Sequence, residues 1–100
     1  MKAEYVALVD LILSRGHRID VDTGGDEPDV FNSNNRAEIL MAIESVDCAE
    51  ITVWEREDCA EGAYAHWRGR FWAQIIPFGV APDETVVDYT DNGYYIPEVV

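Results

Sequence analysis

The sequence predicts an α+β domain in which two helices pack on one face of a four-stranded, mainly antiparallel sheet, in the chain order α-β-β-α-β-β. Three observations carry this reading. Two stretches repeat apolar residues at helical spacing. Three others alternate apolar and polar residues with a period of two, and a fourth, 29–32, carries Val30 and Phe31 after a turn. Gly, Asp and Pro punctuate the stretches between them.

Tyr5, Leu8, Val9 and Ile12 form one helical stripe, widened by Leu11 and Leu13, and Gly16 supplies a stop. This predicts a first helix over 3–14. Ile19 and Val21 alternate with Arg18, Asp20 and Asp22, the pattern of a short half-buried strand. Residues 23–28, Thr-Gly-Gly-Asp-Glu-Pro, are turn chemistry. Residues 29–32 return as a second strand with Val30 and Phe31. Ser33 and Asn35 compete as N-caps, and Glu38 stands at capping-box spacing from Asn35. Ile39, Leu40, Ile43 and Val46 then predict a second helix over 35–46. Ala49, Ile51 and Val53 alternate with Glu50, Thr52 and Trp54 in a third strand. A polar loop covers 57–65, and a fourth strand covers 66–76. On that strand Trp67, Phe71, Ala73 and Ile75 fall on one face, with Arg68, Arg70, Trp72 and Gln74 on the other. Pro77 ends it. Beyond Gly79 the chain is Pro- and Asp-rich, with a short helical turn expected near 83–88 and an apolar end expected to dock over 94–100.

One hundred residues make one domain, 1–100, large enough to bury a core without a metal or disulfide. The 48% hydrophobic content supplies that core. Twenty Asp and Glu against seven Lys and Arg leave a net charge of −13. Such a chain is repelled by nucleic acid and by anionic membranes, so neither is expected as a direct partner. It is attracted to basic surfaces, although acidity also serves solubility alone. Glu4 and Asp10 interrupt the first apolar stretch, and no run reaches the length of a membrane span, so a cytoplasmic location is expected. Cys48 and Cys59 flank a strand that would hold them too far apart for a disulfide, and both are expected to be reduced.

Asp22-Thr23-Gly24 is the tripeptide of retroviral-type aspartic proteases, but that fold is almost all β and two helical stripes flank the motif here. Asp20, Asp22, Gly25 and Asp26 echo a calcium loop; counted from Asp20, Gly24 and Phe31 occupy positions that need oxygen ligands. His17 and His66 have no partner at metal-ligand spacing. No catalytic residue, cofactor or metal is therefore expected. The candidate residues are for partner binding: Asp20, Asp22, Asp26, Glu27 and Asp29 around the first hairpin; Glu57 and Asp58 near the second; and Trp54 and Trp72 beside Arg68 and Arg70. Exposed Trp with Arg is chemistry typical of interface hot spots. A further acidic group, Asp83, Glu84, Asp88 and Asp91, lies near the end.

Residues 19–25 (Ile-Asp-Val-Asp-Thr-Gly-Gly), 43–47 (Ile-Glu-Ser-Val-Asp), 76–86 (Ile-Pro-Phe-Gly-Val-Ala-Pro-Asp-Glu-Thr-Val) and 88–92 (Asp-Tyr-Thr-Asp-Asn) together resemble a family of small phage and prophage proteins without an assigned activity. The resemblance spans about 3–92. It implies a mobile-element origin and a bacterial host cytoplasm, and offers no catalytic residues. The loop at 57–65 and Arg68-Gly69-Arg70 are atypical of it. With the charge, it leads to the expectation of a stoichiometric inhibitor of a host nucleic-acid-binding (defence) protein with a basic surface, anti-CRISPR-like or a nucleic-acid mimic. The alternative is an accessory or regulatory phage protein that self-associates, as a homodimer, through the Trp54 and Trp72 face.

Overall fold

The computed structural model describes residues 3–56, 67–79 and 81–90. Within them the elements are α1 (Glu4–Ser14), β1 (Arg18–Asp22), β2 (Val30–Ser33), α2 (Arg36–Ile43), β3 (Ala49–Arg56), β4 (Trp67–Ile75), a 3-10 turn (Pro82–Glu84) and β5 (Val86–Tyr89). The strands form one five-stranded sheet in the order β2-β1-β3-β4-β5, with every neighbouring pair antiparallel.

The α+β class and both helices agree with the sequence pattern. The strand count does not: the sheet has five strands where four were expected. The short helical turn expected at 83–88 resolves into two pieces. Pro82 opens a single 3-10 turn, and the β-branched pair Val86-Val87 then extends as a fifth strand against β4.

α1 ends through a Schellman closure. The Gly16 amide bonds the Leu13 carbonyl and the His17 amide reaches the Ile12 carbonyl, with Gly16 at φ 77°. α2 begins at the Asn35 cap, whose side chain accepts the Glu38 amide at 3.2 Å. The other candidate, Ser33, supports it from outside: its hydroxyl accepts the Asn35 amide. α2 stops three residues short of the expected end. There Ser45 donates both its amide and its hydroxyl to the Ala42 carbonyl and turns the chain out of the helix.

One face of the sheet carries the core. Ile19 and Val21 on β1, Ala49, Ile51 and Val53 on β3, and Phe71, Ala73 and Ile75 on β4 are buried against Tyr5, Leu8, Val9 and Ile12 of α1 and Ile39 and Ile43 of α2. Each fully buried Leu or Ile side chain contributes about 1.5–3 kcal/mol relative to exposure. Every sheet residue in this cluster has the same strand parity, so both helices lie on one face and the opposite face is left uncovered by them.

Two further interactions tie distant parts of the chain to α1. Ala3 caps α1 without a side-chain acceptor. The buried Thr85 hydroxyl supplies one: it accepts the Tyr5 amide at 3.0 Å and donates to the Pro82 carbonyl. The Tyr5 hydroxyl donates to the Glu44 carboxylate beyond α2. Burial, then that hydrogen bond and the Glu44 charge, push the Tyr5 phenol up to about 12. Replacing Thr85 by Val keeps the shape and leaves the Tyr5 amide unpaired. The expected loss is about 1–3 kcal/mol of unfolding free energy, read by urea denaturation, with Thr85→Ser much closer to wild type.

Candidate functional site

Residues 19–35 carry five carboxylates and no Lys or Arg. The structure divides these carboxylates by role. β2 bulges against β1, so that Phe31 and Asn32 together oppose Asp20, and Asn32 takes φ 47°. The bulge turns the Asn32 amide out of the ladder, and Asp20 Oδ1 accepts it at 2.6 Å. Asp20 is accordingly only 7% exposed. Its carboxylate completes the hairpin and is not presented to a partner. Asp22 Oδ1 accepts the Gly24 amide at 2.8 Å in an Asx-type turn, and Gly24 adopts φ 102°. Asp29 accepts the Thr23 hydroxyl, and its amide bonds the Val21 carbonyl. Asp26 and Glu27 stand exposed at the tip, with Asp29 beside them. The Asp-Thr-Gly tripeptide and the calcium-like spacing thus fall on a turn whose first two carboxylates are engaged by backbone amides. Among the described residues no cluster of three or more His, Cys, Asp or Glu is arranged to hold a metal.

The sheet face that the helices leave uncovered, among the described residues, is the second candidate. Its side chains fall into cross-strand rows fixed by the register. Asp22, Glu50, Gln74 and Asp88 stand opposite one another across β1, β3, β4 and β5. The next row is Asp20, Thr52, Trp72 and Thr90; the Trp72 amide donates to Thr90 Oγ1 and the Thr90 amide to the Trp72 carbonyl. The third row pairs Arg18 with Trp54 and Trp54 with Gly69. An open concavity of about 550 Å3 runs over this face, lined by Glu50, Thr52, Gly69, Arg70, Phe71, Trp72 and Thr90.

A bulge corrects one expectation. Val53 opposes Phe71 but Trp54 opposes Gly69, so Arg70 is the extra residue on β4. The alternation changes phase there. Trp67, expected on the core face with Phe71, instead meets the Arg18 guanidinium, 4.9 Å from its ring centroid. Gly69 leaves room above the Trp54 ring; a Cβ at this position would lie 3.8 Å from it.

Trp54 and Trp72 both lie on the uncovered face, as the alternation predicts, but differ in exposure. Trp54 is half-buried, and among the described residues its enclosed indole N–H has no hydrogen-bond partner. Trp72 is 36% exposed. Arg70 pairs with Glu55 at 2.7 Å. Arg68 opposes Glu55 in the ladder, and its side chain lies outside the described residues, as do Glu57, Asp58, His66 and Cys59. Cys48 is a free, exposed thiol. Near the same end of the sheet, burial pulls the His17 pKa below its ordinary value; Glu55 opposes this, while Arg70 and Arg15 add to it.

Alternation already set Glu50 and Thr52 with Trp54, though not as site residues, whereas sequence reasoning missed Asp88 and Thr90 as members of this face. Their strand parity with Trp72 was readable once a register was known, but only the pairing supplies it. No family model, curated protein or solved structure matches the chain.

The two kinds of carboxylate separate by stability. Asp20→Ala strands the Asn32 amide, and the expected cost is about 1–3 kcal/mol. Asp26→Ala at the exposed tip is expected to stay within roughly 0.5 kcal/mol of wild type. Parallel denaturant titrations of the two variants check this.

Proposed function

We propose that the chain is a stoichiometric binding protein that covers a basic surface of another macromolecule. The observation that carries this reading is the hairpin at 19–35. It projects Asp26, Glu27 and Asp29 into solvent from a turn stiffened by its own hydrogen bonds, with no Lys or Arg in the segment. The net charge of −13 adds a long-range field that steers a basic partner toward it.

The partner this chemistry fits best is a nucleic-acid-binding protein, whose cationic groove would accept carboxylates in place of phosphates. The resemblance to small phage proteins narrows the reading to inhibition of a host defence protein. A second reading, self-association through the Trp72 face, draws on the partial exposure of that ring. The like charge of two copies opposes it, most strongly at low salt.

Reversing Asp26, Glu27 and Asp29 to Lys together is expected to slow association with such a partner by at least about tenfold, with a smaller change in dissociation, because rim charges act on encounter. The fold should persist, since these side chains bury nothing. Surface plasmon resonance at about 0.1 M and about 1 M salt checks this, because the screening length falls between them from about 10 Å to about 3 Å. Affinity that is flat with salt, or simultaneous binding of nucleic acid and this chain by one partner, contradicts the proposal.

A further inference from the structure

We infer that the uncovered sheet face, and not only the hairpin tip, is a docking site for a basic polypeptide segment, with an Arg or Lys side chain laid over Trp72 and its cation against Glu50. The inference deepens the proposed function and rests on it. Four observations favour this occupant. The row Asp22, Glu50, Gln74 and Asp88 brings three carboxylates onto one face with no cation in the row; the cations nearby are engaged, Arg70 with Glu55 and Arg18 over Trp67. Asp22 and Glu50 stand directly opposite one another, a like-charge pairing that costs the sheet stability and that a cation would relieve. Trp72 lies diagonally next to Glu50, one row along, with its ring partly in solvent. The concavity that joins Glu50 to Trp72 is also lined by Gly69, which has no side chain to fill it.

The geometry selects among cationic ligands. The row crosses three strand spacings of roughly 4.8 Å, about 14 Å in all, which suits several charges carried on one chain better than a single small ion. Aromatic faces attract Arg and Lys through the ring quadrupole, and this fold already contains one such contact, Arg18 over Trp67. Nucleic acid and anionic membranes meet the wrong sign of charge here.

The test titrates the isotope-labelled full chain with a synthetic Arg-Ser repeat peptide at low salt, following backbone amide and indole N–H resonances. The expected result is that the Trp72 indole and the amides of Glu50, Gln74 and Asp88 shift together. Trp72→Ala is expected to weaken binding about three- to fivefold, the size of an exposed cation–π contact. The pair Glu50→Lys and Asp88→Lys, both exposed and away from the core, is expected to weaken it about tenfold or more, with the loss shrinking as the screening length falls to about 3 Å near 1 M salt. If Trp72→Ala fails to fold, Glu50→Gln alone must still weaken binding. Shifts confined to 24–29, with binding lost only in the hairpin triple variant, overturn this inference and leave the proposed function standing. Absence of any binding by the basic peptide at low salt overturns both. The inference is also overturned if the same resonances move on concentrating the chain alone, which assigns the face to a second copy, or on adding a DNA duplex in place of the peptide.

Discussion

Ala49, Ile51 and Val53 hold the middle of the sheet, and their register against β1 and β4 decides what the side chains on both faces can do. These three residues are buried beneath the helices beside Ile19, Val21, Phe71, Ala73 and Ile75. The period of two then leaves Glu50, Thr52 and Trp54 no choice but the opposite face. A slip of one residue on β3 would bury Glu50 and expose Ile51. The hydrophobic core therefore enforces the arrangement of the polar face, and the rows of carboxylates, hydroxyls and indoles there are as firmly specified as the core itself.

That arrangement carries costs which core packing offsets. Asp22 faces Glu50, and the chain as a whole has an excess of thirteen negative charges. Like charges placed opposite one another on a sheet destabilise it. Asp20 is different: it is nearly enclosed, and its carboxylate replaces a ladder hydrogen bond lost at the β2 bulge. Acidic residues of one hairpin thus serve opposite ends. Asp20 completes the hairpin from a nearly enclosed position, whereas Asp26 and Glu27 stand exposed at its tip. At the far end of the chain, Thr85 caps α1 across 80 residues and joins the β4–β5 connection to the first turn of the first helix.

Periodicity made both helices, the first hairpin and the third and fourth strands legible, because each has one buried face and a clear boundary such as the Gly16 stop, the Asn35 cap or Pro77. The fifth strand was obscured. Val86 to Tyr89 is short, follows a Pro-initiated turn, and is mostly exposed, so its alternation carries little contrast. Trp67 was misassigned because a bulge has no signature in a pattern of two; Arg70 looks like any other polar position until its partner strand is known. Asp20 was grouped with the hairpin carboxylates because its burial depends on a φ of 47° at Asn32, twelve residues away. The Trp54 and Trp72 face was legible in orientation. Its acidic row was not, since a row exists only across strands.

The central claim is that the uncovered face places its carboxylates for recognition at some expense to stability. Urea unfolding of Glu50→Gln at low salt tests it most directly. The account predicts a chain more stable than wild type by roughly 0.2–0.5 kcal/mol, since the substitution removes the charge opposite Asp22 and keeps the side chain's shape. A variant clearly less stable than wild type would contradict it, because Glu50 would then be a structural residue like Asp20.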